Sequence, residues 1–154
     1  LEPTVEVLEK AEFYLNFIRK VLPEARVTLI GSLAIPVCVK NEIDILVEVE
    51  EGEDILKVQE KIRDENQDLF RVGPIVDGEG FSRTKKKHGL ICELHILHRG
   101  DKRIEKYLKL IERFQSNPEL AKAYADLKRS MNGFSNDEYK KVKIEFLKRN
   151  GFLE

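Results

Sequence analysis

Apolar residues recur every three or four positions over five segments of this chain, and this spacing predicts five amphipathic helices. Pro23 ends the first helix, while Asn117-Pro118 and Ser135 supply caps for the last two. The predicted helices are 4–22, 53–66, 101–115, 118–132 and 136–149. The last third of the chain is therefore expected to be helical.

Shorter runs that alternate between apolar and polar residues predict β-strands between the first and third helices. The clearest is 42–50, in which isoleucine and valine face one side while Glu42 and Asp44 face the other. The predicted strands are 26–30, 42–50, 69–76, 80–86 and 90–97. Because no internal repeat or linker-like segment interrupts this order, the pattern indicates one α+β domain over residues 1–154.

The second predicted strand begins with two carboxylates, Glu42 and Asp44, at positions i and i+2. They project to the same face, roughly 6–7 Å apart at the backbone. That spacing suits carboxylates that hold Mg²⁺ or Mn²⁺ for phosphoryl or nucleotidyl transfer. Gly31 and Ser32, at the end of the preceding strand, would let a phosphate approach the backbone amides of a turn. The simpler interpretation is a solvated acidic face, because two further glutamates continue the same stripe.

A third carboxylate, Glu93, lies in the predicted strand 90–97 and shares a face with His95. If this strand lies beside 42–50, Glu93 completes an acidic triad as a metal ligand or as a base. His95 is then a candidate contact for a phosphate or a leaving group. The alternatives are a half-exposed strand glutamate and a hydrogen-bonded structural histidine.

Basic side chains supply candidates for neutralising a triphosphate. Arg83 and Lys85 lie in a cluster that continues through 86–87, at the lip of a predicted hairpin. Lys143 lies one turn after Tyr139 in the last helix, on the same helical face. The alternative interpretation is a set of solvated surface charges around a core tyrosine.

Composition narrows the class of protein. The 154 residues include 36% charged side chains but have a net charge of −1, which places nucleic-acid binding last among the candidate functions. No apolar run approaches the ~20 residues of a membrane span, and the first residues lack the basic and apolar regions of a secretion signal. The two cysteines have neither zinc-ligand nor disulfide-framework spacing, so we expect a cytoplasmic protein.

Several segments, in this order, resemble the GrpB family. They are Gly31-Ser-Leu-Ala-Ile-Pro36 followed by Glu42-Ile-Asp-Ile-Leu-Val, then Glu93-Leu-His-Ile, then Asn117-Pro-Glu-Leu-Ala-Lys-Ala-Tyr-Ala-Asp-Leu-Lys128, and finally Tyr139, Lys143 and Phe146. This resemblance implies a branch of the nucleotidyltransferase superfamily with a polymerase-beta-like fold, in which helices flank a mixed β-sheet.

The chain departs from the usual GrpB pattern at four positions. Leu33 and Val37 stand where the family usually has Thr and Gly. Glu42 stands where the family usually has an apolar residue, and Glu93 where it often has His. The last two departures restore the acidic triad of active nucleotidyltransferases, so the resemblance implies a GrpB scaffold with a more polymerase-like acidic set.

Two functional hypotheses follow. The first is a metal-dependent nucleotidyltransferase that binds a nucleoside triphosphate with Mg²⁺ or Mn²⁺ and transfers a nucleotidyl group to an unidentified small-molecule or protein acceptor. Its catalytic and metal-binding residues are Glu42, Asp44 and Glu93, and its nucleotide-binding residues are Gly31, Ser32, Arg83, Lys85, His95 and Lys143. The second is a non-catalytic module that binds a nucleotide, a coenzyme or a partner protein, since GrpB-like domains resemble accessory parts fused to a coenzyme-A pathway kinase.

Overall fold

The computed structural model describes residues 5–31, 42–130 and 135–150. All five strands and two of the helices lie in the first two thirds of the chain, and helices follow one another in the last third. In chain order they are α1 (Val5–Val21), β1 (Arg26–Ile30), β2 (Glu42–Val49), α2 (Ile55–Glu65), β3 (Ile75–Val76), β4 (Glu79–Arg83), β5 (Ile91–His98), α3 (Lys102–Ser116), α4 (Pro118–Ser130) and α5 (Asn136–Arg149). The predicted α+β class and helical C-terminal third are confirmed.

The predicted strand 69–76 differs most from the structure. Only Ile75–Val76 forms a strand, and Phe70 makes an isolated bridge to Thr84. Pro74 cannot donate a backbone hydrogen bond to a sheet, and the backbone of Gly73 packs directly against the Phe81 carbonyl. The Gly73-Pro74 pair therefore divides the predicted strand into a bridge and a short hairpin arm.

The five strands form one mixed sheet in the order β1-β2-β5-β4-β3. The central pair, β2 and β5, is parallel, and the other pairs are antiparallel. Because directly paired residues share a face of the sheet, one row of the register crosses four strands on the same face. This row contains Ile30, Asp44, Glu93 and Arg83.

The two faces of the sheet carry different parts of the core. On one face, Ile43, Ile45 and Val47 are fully buried in a cluster that includes residues of α1 and α2. On the other face, Leu46 and Leu97 are buried in a cluster with Ile30 and with Ile104 of α3. The predicted division of β2 into two faces is therefore confirmed, and the end of β2 that carries the carboxylates is only half-buried.

The C-terminal helices form a small aromatic cluster of their own. Tyr124 of α4 stacks between Phe114 of α3 and Phe146 of α5, with ring centroids 4.9 Å and 5.4 Å away. Phe114 is completely buried. These stacked rings join the last three helices to one another.

Candidate functional site

The two strand carboxylates lie side by side at the half-buried end of the central parallel pair. Asp44 of β2 is the direct register partner of Glu93 of β5. Neighbouring strands are about 4.8 Å apart, so side chains paired in this way converge on a common space. The structure therefore brings together two of the three predicted acidic residues.

His95 joins these two acids from the same strand as Glu93. Its Nε2 lies 3.1 Å from Asp44 Oδ1 and 3.5 Å from Glu93 Oε1. Among the described residues, Asp44, Glu93 and His95 form the group whose donor atoms all lie within 4.8 Å of one another. We call these three residues the acid–histidine cluster.

The charge of the cluster is partly balanced within it. Burial of the His95 ring opposes its protonation, but its contacts with Asp44 and Glu79 and the negative charges of Asp44 and Glu93 outweigh burial and raise the pKa of His95 to about 9. The ring is therefore an imidazolium at neutral pH, and its Nε2–H donates to Asp44. One positive charge thus faces two carboxylates.

A second group of polar residues lies behind the histidine. His95 Nδ1 is 3.4 Å from Oε2 of Glu79, and this carboxylate also accepts a 2.8 Å hydrogen bond from the Tyr107 hydroxyl. Arg103 Nη1 lies 3.8 Å from the other Glu79 oxygen. Burial alone would raise the pKa of Glu79, but His95, Tyr107 and Arg103 lower it overall. Glu79 is therefore a buried, charged carboxylate facing the far side of the ring.

Sequence analysis missed Glu79 and Tyr107. Glu79 is separated from Arg83 by an even number of strand positions, so it shares a face with Arg83, and this was the available signal. Tyr107 lies on α3, and only the packing of that helix against the sheet places its hydroxyl beside Glu79. That contact depends on tertiary structure and has no local sequence signature.

Arg83 and Glu42 lie at the open edge of the cluster. The Arg83 guanidinium forms an ion pair with Glu93 through Nε, and its Nη2 lies 3.9 Å from Glu42 Oε1. Hydrogen bonding to Glu93, with the further negative charges of Glu42 and Asp44, raises the pKa of Arg83. Glu42 thus adjoins the site through Arg83, and its predicted role as a metal ligand stays a prediction.

Gly31 lies directly against Asp44. It adopts φ +72°, and a Cβ at this position would lie 2.5 Å from Asp44 Oδ2 and 3.0 Å from Asp44 Cβ. Only glycine adopts this backbone conformation freely and leaves room for the carboxylate. The predicted glycine bend therefore adjoins the acids, while Ser32 lies outside the described residues.

Lys85 and Lys143 are the remaining predicted phosphate contacts on described residues. Lys85 Nζ donates a 2.6 Å hydrogen bond to the Gln67 carbonyl, in the loop after α2. The chain then turns through a 3₁₀ helix at Lys86–His88, where Lys87 pairs with Asp68. Lys143 is half-buried on α5. Their predicted contacts with a nucleotide stay predictions.

The donor set of the cluster fits a divalent cation. Adjacent ligand atoms around an octahedral ion bound at about 2.1 Å are separated by about 3 Å, close to the 3.1 Å and 3.5 Å from His95 Nε2 to the two carboxylates. Asp44 and Glu93 supply the oxygen ligands that hard cations prefer. These two carboxylates would therefore hold an ion here, and His95 Nε2 lies beside both of them.

Comparison with known proteins identifies the scaffold. The sequence model described as GrpB protein matches residues 2–150. The chain belongs to the GrpB family. Over 136 residues it is 30% identical to the UPF0157 protein VC_A0354 of Vibrio cholerae, covering 86% of this chain and 69% of that protein. The family membership predicted from the sequence motifs is confirmed.

Solved structures extend the likeness from the family to the fold. The crystal structure of conserved protein GrpB from Enterococcus faecalis matches with a TM-score of 0.76 and 25% identity, covering 97% of this chain and 98% of that one. The RNA terminal uridylyl transferase Cid1 matches with a TM-score of 0.65 and 15% identity, covering 85% of this chain and 43% of Cid1. GLD-2 in its complex with RNP-8 matches with a TM-score of 0.64 and 12% identity, covering 96% of this chain and 57% of that one.

These matches confirm the nucleotidyltransferase-like fold predicted from the motifs. This chain spans only 43% of the Cid1 chain and 57% of the GLD-2 chain, so its likeness to them is one of fold. Within the part of the chain that the structure describes, no helix combines the length and the apolar character needed to cross a bilayer.

Proposed function

We propose that this GrpB protein binds a nucleoside triphosphate with a divalent cation at the acid–histidine cluster and transfers a nucleotidyl group to a small-molecule or protein acceptor. The pairing of Asp44 with Glu93 across the central parallel strands carries this proposal. The two acids come from separate parts of the chain and meet at the half-buried end of the sheet, on a fold shared with nucleotidyltransferases.

Each neighbour of the two acids has a distinct part in this proposal. A bound divalent ion supplies charge neutralisation of the phosphates and lowers the pKa of an attacking hydroxyl. Asp44 and Glu93 hold the ion, and Gly31 gives a phosphate access to the backbone beside Asp44. Arg83, which contacts Glu42 and Glu93 in the structure, is within reach of the same space and supplies positive charge to a triphosphate.

Calorimetric titration with ATP, GTP, CTP and UTP, each with Mg²⁺, tests this function. We expect at least one nucleotide to bind and Asp44→Asn to abolish that binding, because the amide loses the charge that holds the ion. Asp64→Asn is the matched control, since Asp64 is 58% exposed on α2, which packs on the opposite face of the sheet. Failure of all four nucleotides to bind would contradict the proposal.

One observation favours the second hypothesis, a non-catalytic module that binds a nucleotide, a coenzyme or a partner protein. Arg83 and His95 form ion pairs with Glu93 and Asp44 and so balance part of their charge. A nucleotide that binds tightly to this protein but is not consumed over long incubation with Mg²⁺ or Mn²⁺ would support that function. Release of pyrophosphate on addition of an acceptor extract, lost in Asp44→Asn, would support catalysis.

A further inference from the structure

We propose that a divalent cation displaces the Nε2 proton of His95 to solvent and takes this nitrogen as a ligand, and that Glu79, held by Tyr107, positions the ring. The site would then take a transition-metal dication such as Mn²⁺ in preference to Mg²⁺. This inference rests on the proposed function, which itself assigns metal binding to carboxylates and leaves both the role of Glu79 and the choice of metal open.

The His95 ring is held where its Nε2 can share an ion with the two carboxylates. Nε2 faces Asp44 and Glu93 together, at 3.1 Å and 3.5 Å, so it lies where a ligand sharing their ion would lie. The ring makes edge contacts with Phe81 and Tyr107, with centroids 5.5 Å and 5.6 Å away. These two aromatic side chains restrict rotation of the imidazole about its Cβ–Cγ bond, so Nε2 stays directed at the two carboxylates.

The Glu79 carboxylate lies behind the His95 ring, on the side of Nδ1. Among the described residues, His95 Nδ1 is buried without a well-formed hydrogen bond, and Glu79 Oε2 lies 3.4 Å from it. Histidines that bind metals in proteins usually give their other N–H to a carboxylate, which fixes the ring and makes the ligating nitrogen more basic. Glu79 stands where that carboxylate is needed.

Neighbouring residues compensate the buried charge of Glu79 and hold its side chain in place. Its side chain is only 7% exposed, and burying a charged carboxylate costs free energy unless partners compensate. The Tyr107 hydroxyl and Arg103 are those partners, and Arg103 is itself held by Asp101 Oδ2 and the Asp77 carbonyl, both at 2.7 Å. The protein therefore holds a buried charge against His95 through four residues, which are Asp77 of the β3–β4 turn, the α3 N-cap Asp101, and Arg103 and Tyr107 of α3.

The donor set gives the metal preference. Mg²⁺ takes oxygen ligands and binds imidazole poorly, whereas first-row transition metals bind nitrogen ligands more strongly than Mg²⁺ does, with affinity rising from Mn²⁺ to Cu²⁺. Two carboxylate oxygens and one imidazole nitrogen therefore select against Mg²⁺.

Titration with Mn²⁺ alone, followed by pulsed electron paramagnetic resonance of the complex, tests the ligand. We expect the Mn²⁺ signal to be modulated by a directly bound imidazole nitrogen. His95→Gln should remove this modulation and weaken Mn²⁺ binding by at least about tenfold. Mn²⁺ binding that depends on Asp44 but shows no nitrogen signal would overturn the inference and leave the proposed function standing. Absence of Mn²⁺ binding would also overturn it, and the separate Mg²⁺–nucleotide titration decides the proposed function.

Glu79→Gln and Tyr107→Phe test the positioning. We expect each to weaken Mn²⁺ binding by about 10–100-fold, the usual effect of outer carboxylate partners, and to leave Mg²⁺ binding nearly unchanged. A merely structural role would lower both affinities equally and would overturn the assignment. Tyr107→Phe removes one hydroxyl and keeps the ring, so it tests the network even if Glu79→Gln unfolds the protein. Glu105→Gln, an exposed change on the same helix as Tyr107, is the control.

Discussion

The two ends of β2 carry the same acidic alternation but different partners. At one end Asp44 is paired with Glu93, so two acids share a space with His95. At the other end Glu48 is paired with Leu97 of β5, and its carboxylate lies 3.7 Å from Arg26. The neighbouring strand therefore decides whether a strand acid joins a site or a single ion pair.

Glu50, just beyond the same end, makes the comparison sharper. It forms an ion pair with Arg99, an exposed residue that follows β5. Acids at this end thus have one basic partner each, whereas acids at the other end outnumber the basic groups between them. We call the end that carries Glu48 the paired end of β2 and the end that carries Asp44 the cluster end.

The largest expected difference between the two ends is in cation binding. We expect Glu93→Gln to weaken binding of Mn²⁺ or Mg²⁺ by more than about 100-fold, beyond the effect of outer-sphere changes, because a charged ligand is lost. Glu50→Gln, the same substitution near the paired end, should leave binding unchanged. Calorimetric titration of both variants checks this, and an equal effect in both would remove the distinction between the ends.

A pair of glycine substitutions tests how closely the backbone supports the acids. Gly31→Ala at the cluster end should destabilise the protein by about 1–2 kcal/mol, since an L-residue must adopt the left-handed region, and should weaken cation binding because its Cβ displaces Asp44. The Cβ of Gly52→Ala, beyond the paired end, would meet no atom of the described residues within 4 Å. We expect it to be neutral or to stabilise by up to about 1 kcal/mol.

Urea unfolding and metal titration of the two alanine variants measure these effects. Gly31→Ala with full stability and full metal affinity would contradict the close contact with Asp44.

Much of the fold was predictable because β2 has a period-two pattern over its whole length. The pattern placed Ile43 and Ile45 on one face and Asp44 on the other, as the structure has them. The pairing of Asp44 with Glu93 required β2 and β5 to be neighbours, which periodicity cannot supply. The family resemblance supplied the fold in which they are.

The support behind His95 was not predictable, for a physical reason. Glu79 begins β4 directly after the Asp77-Gly78 turn, where both residues have positive φ, as a tight hairpin requires. That turn sets the register that directs Glu79 to the sheet face carrying His95. The compensation of its charge by Tyr107 and Arg103 depends on where α3 crosses the sheet, and no local pattern encodes a crossing.

Replacing the arginine at the cluster end should change metal affinity by a moderate factor, whereas replacing the arginine at the paired end should not change it. Arg83 contacts Glu93 and Glu42, so it competes with any cation for these carboxylates. We expect Arg83→Gln to raise Mn²⁺ affinity severalfold in the absence of nucleotide and to lower the affinity for a triphosphate with its metal. Arg99→Gln should change neither. Weaker Mn²⁺ binding in Arg83→Gln would show that the guanidinium organises the acids instead of competing for them.

Replacing Glu48 is expected to have the smallest effect on stability and on metal binding. Its side chain is 9% exposed, and within the described part of the chain its buried Oε2 has no hydrogen-bond partner, while Arg26 is 69% exposed and stays hydrated. Replacing a buried, poorly paired charge by an apolar group of similar shape is often neutral or stabilising. We expect Glu48→Met to change the free energy of unfolding by less than about 1 kcal/mol and to leave Mn²⁺ binding intact. A larger loss in urea unfolding would mean that the Glu48 carboxylate contributes more at the paired end than its contact with Arg26 indicates.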